Sequence, residues 1–420
     1  MLPTYSNGVT GVNGFHTPNG AISATGATGA VGSYRGATSD SVLTNPSSPI
    51  HCLAAQFQTY LHLPDPTPLY VTMGAMAGNM MTGTPVWLML IGPPGCGKTE
   101  MLKSLARTGI ETVSSISGEA ALLSGTRKKD IAKDATGGLL KVLGTNGCLV
   151  FMDFTSVLSK SREAVNELLG ILRELFDRTW SRDIGADGGR KMTHTGRVCM
   201  LAAATPAIDR AGEVSKEMGE RCLYYRWPET TGYQESMSAV QDIEPDASEL
   251  ERQQLVEAMF AGLGLTIKEP SKRRRLESWE SHKIVTLAQL GAKCRSYVPR
   301  DRYTHQIVDV ASPEIATRMA KELTQLYVGM EALGNTQEEI WYALNKIALD
   351  SMTLSRRKVL EMVIEGRGHV KSEDIAGQIK LSKRTADQVL EDLDMLGVVR
   401  RNGTGWVSSE WLEEKMRVLT

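Results

Sequence analysis

The run Gly92-Pro93-Pro94-Gly95-Cys96-Gly97-Lys98-Thr99 restricts the fold of this chain more than any other feature of the sequence. It directly follows the apolar segment Trp87-Leu88-Met89-Leu90-Ile91, and helix-like apolar spacing at Met101 and Leu105 comes after it. A glycine-rich loop between a buried strand and a helix is typical of phosphate-binding loops in α/β proteins. The sequence therefore predicts a strand, a phosphate-binding loop and a helix in succession; the alternative is an accidental Gly/Pro turn that ends in Lys-Thr.

The positions of this loop have predicted roles in holding a nucleotide. Backbone N–H groups would curl around phosphate oxygens, and the helix would direct its positive N-terminal end at the anion. Lys98 would reach the β- and γ-phosphates, and Thr99 would ligate magnesium. The predicted cofactors are therefore ATP and magnesium, and the predicted nucleotide contacts are Gly92, Pro93, Pro94, Gly95, Cys96, Gly97, Lys98, Thr99 and Glu100.

A second apolar strand that ends in a carboxylate, Leu149-Val150-Phe151-Met152-Asp153, follows further along the chain. Taken alone this pattern is common. After a phosphate-binding loop, however, it indicates a second magnesium ligand, because such sites hold the ion through a strand-terminal aspartate and water. Asp153 is therefore predicted to bind magnesium together with Thr99.

The fold class follows from the alternation of short apolar runs with helical stretches between Pro85 and about Trp227. That alternation is typical of a mostly parallel sheet covered by helices. We expect an α/β fold with a P-loop core and a parallel sheet of five strands. The predicted strands are Val86–Ile91, Thr112–Ser117, Cys148–Met152, Val198–Ala203 and Cys222–Arg226.

Composition divides the 420 residues into four segments. Residues 1–48 are dominated by small and polar residues and have almost no large apolar side chains to bury, so a disordered tail is predicted. Residues 49–228 are predicted to form the α/β core and residues 229–350 a helical lid. Residues 351–420 are predicted to form a compact C-terminal domain.

Overall charge leaves the nature of the partner open. Lys and Arg number 47 against 48 Asp and Glu, so any contact with nucleic acid must come from local patches. The six cysteines are scattered without metal-ligand spacing, which favours a reducing, cytoplasmic compartment. No apolar run approaches the ~20 residues that span a bilayer, so no membrane association is expected.

From about Pro49 to Ala348, the order of these elements resembles the AAA+ family. Val198-Cys199-Met200-Leu201-Ala202-Ala203-Ala204-Thr205 resembles the family's sensor 1 strand, which implies that Thr205 contacts the γ-phosphate or orients water. Gly219-Glu220-Arg221-Cys222 resembles the segment that carries an arginine finger. The resemblance implies that Arg221 reaches ATP on a neighbouring subunit, so the chain would form a homo-oligomer, most simply a hexamer.

A segment of the lid resembles the family's sensor 2 helix. Pro313-Glu314-Ile315-Ala316-Thr317-Arg318 would begin this helix, which implies that Arg318 is a second cation on the nucleotide. The alternative is that Arg318 is a surface salt-bridge partner.

The chain departs from the family pattern at Phe154, where most ring ATPases carry a glutamate that polarises the attacking water. Either another carboxylate replaces that glutamate or hydrolysis is slow. Glu100, beside Thr99, and Glu174, on the next helix, are the candidates, and each could instead be a solvated helix carboxylate.

Between the Asp153 strand and the sensor 1 strand, Asp187-Gly188-Gly189 separates two short alternating runs, which predicts a β-hairpin. A hairpin at this place is similar to the pore insert of superfamily 3 and minichromosome-maintenance helicases. Its tip would offer Arg190 and Lys191 to a DNA backbone, with Arg182 and His194 nearby. An ordinary surface hairpin is the alternative. The Gly-Lys-Thr-Glu and Asp-Phe-Thr-Ser sequences also resemble ATPases of phages and mobile elements.

Residues from about Leu354 resemble a winged helix, with three helical patterns and two strands around Asn402-Gly403. The third helix would begin after Ser382 and present basic and amide side chains outward. The predicted DNA contacts in this helix are Lys383, Arg384 and Gln388. Winged helices also bind proteins, so a protein-docking role is the alternative.

Together these features predict a ring-forming ATPase that acts on DNA, as a replicative helicase or DNA translocase driven by ATP hydrolysis. One alternative is a helicase loader or remodeller that places another protein on DNA without unwinding. The other is an ATP-gated DNA-binding regulator, which the missing glutamate favours. DNA and replication proteins are the expected partners.

Overall fold

The structure is a computed structural model that describes residues 48–113, 138–184, 190–210, 221–228, 232–301, 303–366 and 369–419. The predicted disordered tail lies outside the described residues except for Ser48. Within the described part of the chain, no helix has the length and apolar character needed to cross a membrane.

The first part of the described chain builds one sheet and the helices that cover it. Its elements in chain order are α1 (Pro49–Phe57), α2 (Thr67–Asn79), β1 (Trp87–Ile91), α3 (Lys98–Lys103), β2 (Glu111–Val113), α4 (Leu139–Leu143), β3 (Asn146–Phe151), α5 (Thr155–Leu158), α6 (Arg162–Phe176), β4 (Thr179–Ile184), β5 (Arg190–Thr195), β6 (Arg197–Ala204) and β7 (Leu223–Arg226).

The sheet has five parallel strands in the order β2-β3-β6-β1-β7. This confirms the predicted α/β fold with a P-loop core, although the predicted strand Thr112–Ser117 can be followed only over β2, because residues 114–137 lie outside the described part. Every residue of β1 is buried, since helices cover both faces of the sheet. Leu88 and Leu90 pack in one hydrophobic core with α2, while Trp87 and Met89 pack in a second core with α6.

The predicted hairpin is present as an antiparallel pair of strands, β4 and β5, between α6 and β6. Ile184 pairs with Arg190 at its outer end, and residues 185–189 of the turn lie outside the described part. At its inner end Trp180 is buried opposite His194. Burial lowers the pKa of His194. The hairpin is therefore anchored in the core by its base.

The second part of the chain is helical and contacts the sheet domain closely. Its helices are α7 (Tyr233–Gln241), α8 (Pro245–Gly262), α9 (Ser278–Arg295), α10 (Thr317–Ala332) and α11 (Gln337–Asp350). A Cβ atom at Gly329 in α10 would lie 2.0 Å from the carbonyl oxygen of Gly74 and 2.5 Å from the nitrogen of Gly78 in α2. Glycine is therefore required where α10 crosses α2, the helix that leads into β1.

The C-terminal elements are α12 (Leu354–Glu365), α13 (Ser372–Ile379), α14 (Lys383–Met395), β8 (Val399–Asn402), β9 (Gly405–Ser408) and α15 (Glu410–Leu419). The three predicted helices and the hairpin are thus observed, and α15 is an addition. Ser382 caps α14 as predicted, since its Oγ accepts the N–H of Thr385 at 3.1 Å. An isolated bridge between Val370 and Trp406 ties β9 to the start of α13.

Candidate nucleotide-binding site

The predicted phosphate contacts meet at the carboxyl edge of the sheet. Ile91 at the end of β1 pairs with Ala204 at the end of β6, and Phe151 at the end of β3 pairs with Ala202. Because parallel strands all end at the same edge, the loop after β1, Asp153 and Thr205 follow neighbouring strand ends. The topology therefore brings together three segments that are far apart in the sequence.

The loop after β1 has the backbone geometry of a phosphate cradle. Gly95 and Gly97 have φ angles of +79° and +92°, which only glycine adopts without strain. A Cβ atom at Gly92 would lie 2.7 Å from Cβ of Trp227, so this position is closed to larger residues. Nothing lies within 4 Å of a Cβ built at Gly95, and this side of the loop is open to a ligand.

Lys98 lies across this loop. Its Nζ donates hydrogen bonds to the carbonyl oxygens of Gly92 at 2.8 Å and Pro93 at 2.6 Å. The side chain is buried, so its ammonium is held in place by the loop and not by solvent. A phosphate in the cradle would offer the same ammonium an anionic acceptor, and charge-assisted hydrogen bonds are stronger than bonds to neutral carbonyls. The residues therefore fit an ATP phosphate tail.

Thr99 and Asp153 are both exposed at this edge, where a hydrated cation could reach them. Asp153 Oδ1 accepts the backbone N–H of Thr155 at 3.0 Å, which fixes its direction and leaves acceptor capacity on the carboxylate. Hydroxyl and carboxylate oxygens are ligands suited to magnesium. When bound there, magnesium would neutralise charge on the β- and γ-phosphates.

Thr155 was not among the predicted site residues, although it connects two of them. Its Oγ1 accepts the backbone N–H of Thr205 at 2.8 Å and lies 3.3 Å from Thr205 Oγ1. The loop after Asp153 and the sensor 1 position are therefore fixed to each other. The sequence carried no periodic signal for this contact, which joins residues fifty positions apart.

Phe154 lies inside the protein and not in the site. It is 0% exposed, its ring meets Phe151 edge-to-face at 5.3 Å, and its N–H donates to the carbonyl of Ala203 at 2.7 Å. The position that carries the catalytic glutamate in most ring ATPases is thus part of the hydrophobic core in this chain.

The carboxylate of Glu100 is engaged by two cations. Its Oε2 accepts from Arg252 Nη2 at 2.6 Å, and its Oε1 lies 3.2 Å from Lys103 Nζ. Arg252, on α8, also donates to the carbonyl of Tyr60 at 2.9 Å, so it fixes α3 to both α8 and the segment after α1. Arg252 was not predicted as a functional residue.

Glu174 is distant from the phosphates. It lies near the end of α6, about 18 Å along the helix axis from Arg162 at its start. Because α6 returns from the carboxyl edge toward the opposite edge of the sheet, Glu174 lies away from the P-loop, whereas Glu100 stays beside it in ion pairs with Arg252 and Lys103.

Arg221 and Arg318 lie near each other at the opposite edge of the sheet, before the start of β7. Arg221 Nη2 binds Asp177 at 2.8 Å, and both guanidiniums lie over the ring of Phe176, at 5.7 and 5.9 Å. The structure therefore brings the two predicted arginines together, but not with the P-loop of their own chain. The finger role of Arg221 stays a prediction about a neighbouring chain, and Arg318 is not placed on the nucleotide of its own chain.

A buried carboxyl group accompanies these arginines. Glu322 on α10 is 0% exposed, and within the described residues neither carboxyl oxygen has a hydrogen-bond partner. Burial raises the pKa of Glu322 well above its usual value, although Arg295, Arg318 and Arg221 oppose the shift.

The predicted DNA contacts lie in two places. Lys191 is exposed on the hairpin, and the side chain of Arg190 lies outside the described part. Lys383 and Arg384 are exposed at the start of α14, where Lys383 pairs with Glu373 at 2.5 Å. The carbonyl oxygen of Gln388 accepts from Arg300 Nη2 at 2.8 Å, so the segment after α9 packs beside this part of α14.

A parallel sheet, a glycine cradle with its lysine, and a strand-terminal aspartate define an ATP-binding P-loop domain of α/β class. Residues 88–222 match the family model described as "ATPase family associated with various cellular activities (AAA)". The chain therefore contains an AAA ATPase domain, which spans less than half of its length.

Solved structures similar to the chain include two mutants of RuvB from Thermotoga maritima. Both are 17% identical to this chain, with TM-scores of 0.25 and 0.24. The matches cover 84% and 83% of this chain and 93% and 92% of the RuvB chains. Scores this low do not establish a shared architecture. No curated protein is significantly similar to the chain in sequence.

Proposed function

We propose that the protein is a ring-forming AAA+ ATPase that acts on DNA, with ATP hydrolysis driving translocation or strand separation. The observation that carries this proposal is the position of the hairpin β4-β5. It leads directly into β6, a fully buried strand of eight residues that ends beside Thr205. A strand of this length spans about 26 Å. The buried strand β6 is thus a rigid connection between the hairpin at its start and Thr205 at its phosphate end.

The residues of this chain suggest how ATP would be held. Lys98 moves its hydrogen bonds from loop carbonyls to phosphate oxygens, and the backbone N–H groups of the loop bind the remaining charge. Thr99 and Asp153 would hold the magnesium ion, and Thr155 fixes Thr205 to the loop after Asp153. Arg221 of a neighbouring subunit would supply the cation that stabilises charge in the transition state.

The DNA contacts of the proposal lie on the hairpin and in the C-terminal elements. Helices α12 to α14 with the β8-β9 hairpin have the order of a winged-helix domain, in which the third helix reads the major groove with its N-terminal residues. Lys383 and Arg384 occupy those positions. The acidic residues Asp387 and Glu391 further along α14 restrict DNA contact to the start of the helix, because they repel phosphates.

A second function, an ATP-gated DNA-binding switch, is favoured by one specific observation. Phe154 is buried, and Glu100 is engaged by Arg252 and Lys103. Glu174 is exposed but lies near the far end of α6. Of the two sequence candidates for activating water, one is therefore engaged and the other distant from the loop, which favours slow hydrolysis and a long-lived ATP-bound state. A loader that places another protein on DNA would also need only this slow turnover.

The proposal is tested by measuring steady-state ATP hydrolysis with and without single- and double-stranded DNA. Strand displacement on a forked duplex is measured alongside. We expect DNA to stimulate hydrolysis and the duplex to separate. Stimulation without displacement would select the loader, and ATP binding without turnover would select the switch. Replacing Arg190 and Lys191 with Ala should reduce stimulation while basal turnover is kept. The matched control is Lys268→Ala with Lys272→Ala, two exposed lysines outside both proposed DNA-binding elements. Equal stimulation in the wild type and both variants would refute the role of the hairpin.

A further inference from the structure

Most residues of helix α7 are exposed. None of its residues is buried, although its sequence is amphipathic. Tyr233, Met237 and Val240 recur at the spacing of one helix face and are 64%, 38% and 81% exposed. Ile243, just beyond the helix, is 91% exposed. An apolar face of this kind on a helix marks a docking element.

The charge of this segment has a single sign. Residues 232–246 contain Glu235, Asp242, Glu244 and Asp246 and no lysine or arginine. The element is therefore a helix with an apolar stripe followed by an acidic segment, and its binding surface should be apolar and cationic.

One groove on the surface of the described part of the chain has this character. It lies between α9 and α10 beneath Trp411 and encloses about 650 Å³. Apolar side chains dominate its walls, and Ile315 at its rim is 81% exposed.

The charged residues that line this groove leave it positive. Arg273, Lys293 and Lys321 contribute three cations, and Lys293 Nζ lies 4.0 Å from the centre of the Trp411 ring. The single acidic residue of the lining, Glu314, is held by Arg295 at 2.8 Å. Among its described lining residues, the groove therefore offers apolar walls and an excess of positive charge.

We propose that α7 of one chain docks in this groove on a second copy of the chain. The two surfaces lie toward opposite ends of β7. α7 follows the carboxyl end of this strand. The groove lies near the other end, because its Glu314 binds Arg295, and Arg295 donates at 3.1 Å to the carbonyl of Cys222, the residue before β7. Different surfaces thus meet at the contact, which makes it heterologous, and repetition closes a ring when the rotation permits. The inference rests on the proposed homo-oligomer and names its interface.

Charge reversal on each surface tests the interface in the full-length protein by analytical ultracentrifugation with ATP. The helix variant is Glu235→Lys with Glu244→Lys, and the groove variant is Lys293→Glu with Lys321→Glu. Each should raise the concentration for half-assembly by about tenfold or more, because like charges then face each other. The matched control, Lys371→Glu with Lys380→Glu, should assemble as the wild type does.

Mixing the two variants separates this interface from any other. The cationic helix of one variant matches the acidic groove of the other, and their unchanged surfaces also match. An equimolar mixture should therefore restore assembly with alternating subunits, as should the four substitutions combined in one chain. If both variants assemble as well as the wild type does, the proposed interface is wrong, while the ring of the proposed function still stands. A wild type that stays monomeric with ATP at every concentration overturns both. Circular dichroism of each variant checks its folding.

Discussion

The sharpest prediction concerns Phe154. If this position were only a missing catalytic glutamate, Phe154→Glu would restore a water-activating carboxylate and accelerate hydrolysis. The structure predicts the opposite, because the side chain is 0% exposed and packs edge-to-face on Phe151. A glutamate there would have neither solvent nor a polar partner.

The magnitude follows from two losses. Removing a buried phenylalanine ring costs about 3–5 kcal/mol, and burying a polar group without a hydrogen bond costs about 1–3 kcal/mol more. The sum of at least about 4 kcal/mol is a large part of the roughly 5–15 kcal/mol that stabilises a domain. For a domain of this size, such a loss lowers the melting temperature by roughly 8–16 °C.

Differential scanning fluorimetry and steady-state ATP hydrolysis measure the two expected effects. Phe154→Leu is the matched control, since it keeps an apolar side chain and should cost only about 1–2 kcal/mol with turnover preserved. The reasoning is wrong if Phe154→Glu melts at the wild-type temperature and hydrolyses ATP faster than the wild type.

Three further predictions concern single side chains. Lys98→Ala should abolish detectable binding of a fluorescent ATP analogue in titrations, and binding at wild-type affinity would contradict its role. Arg221→Ala should remove turnover while sparing ATP binding; full activity would refute the finger. Glu280 binds Arg274 and Tyr327, and the Arg274 hydrogen bond lowers the pKa of Glu280 to about 2. A carboxyl group whose pKa is lower in the folded than in the unfolded protein stabilises the fold at pH values above the unfolded pKa. In urea titrations, Glu280→Gln should therefore lower the free energy of unfolding by about 1–2 kcal/mol above pH 5. This difference should vanish as the pH falls toward 2. A difference independent of pH would refute the assignment.

The sequence was sufficient for the parts of the fold that obey short-range patterns. Strands buried on both faces read as continuous apolar runs, so β1, β3 and β6 were visible in the sequence. The loop Gly92 to Thr99 was visible because its glycines must adopt positive φ. Asp153 and Thr205 follow other strands of the same parallel sheet, so their position beside this loop could be predicted from the topology.

Long-range pairings carry no such pattern and could not be predicted. The contact of Arg252 with Glu100 joins residues 152 positions apart, and it engages the carboxylate that the sequence offers as the stronger candidate for activating water. Phe154 looked like a substituted active-site residue, because a sequence does not show which way the chain turns after a strand. Similarly, Gly329 gave no hint that it meets Gly74.

Arg226 connects the phosphate edge to the C-terminal elements. Its guanidinium donates to both oxygens of Asp209, at 2.9 and 2.8 Å, and its backbone N–H donates to the buried Asp350 at 2.8 Å. Asp209 lies in the turn directly after Thr205 and also accepts the N–H of Leu354, the first residue of α12, at 3.3 Å. The Arg226–Asp209 pair is partly buried, so withdrawing one partner leaves the other charge poorly solvated. The turn after Thr205 therefore cannot shift alone: either the junction of α11 and α12 moves with it or these bonds break. A displacement of Thr205 toward a phosphate would thus reach the elements proposed to bind DNA through a short chain of hydrogen bonds, which is the coupling that a DNA-driven ATPase requires.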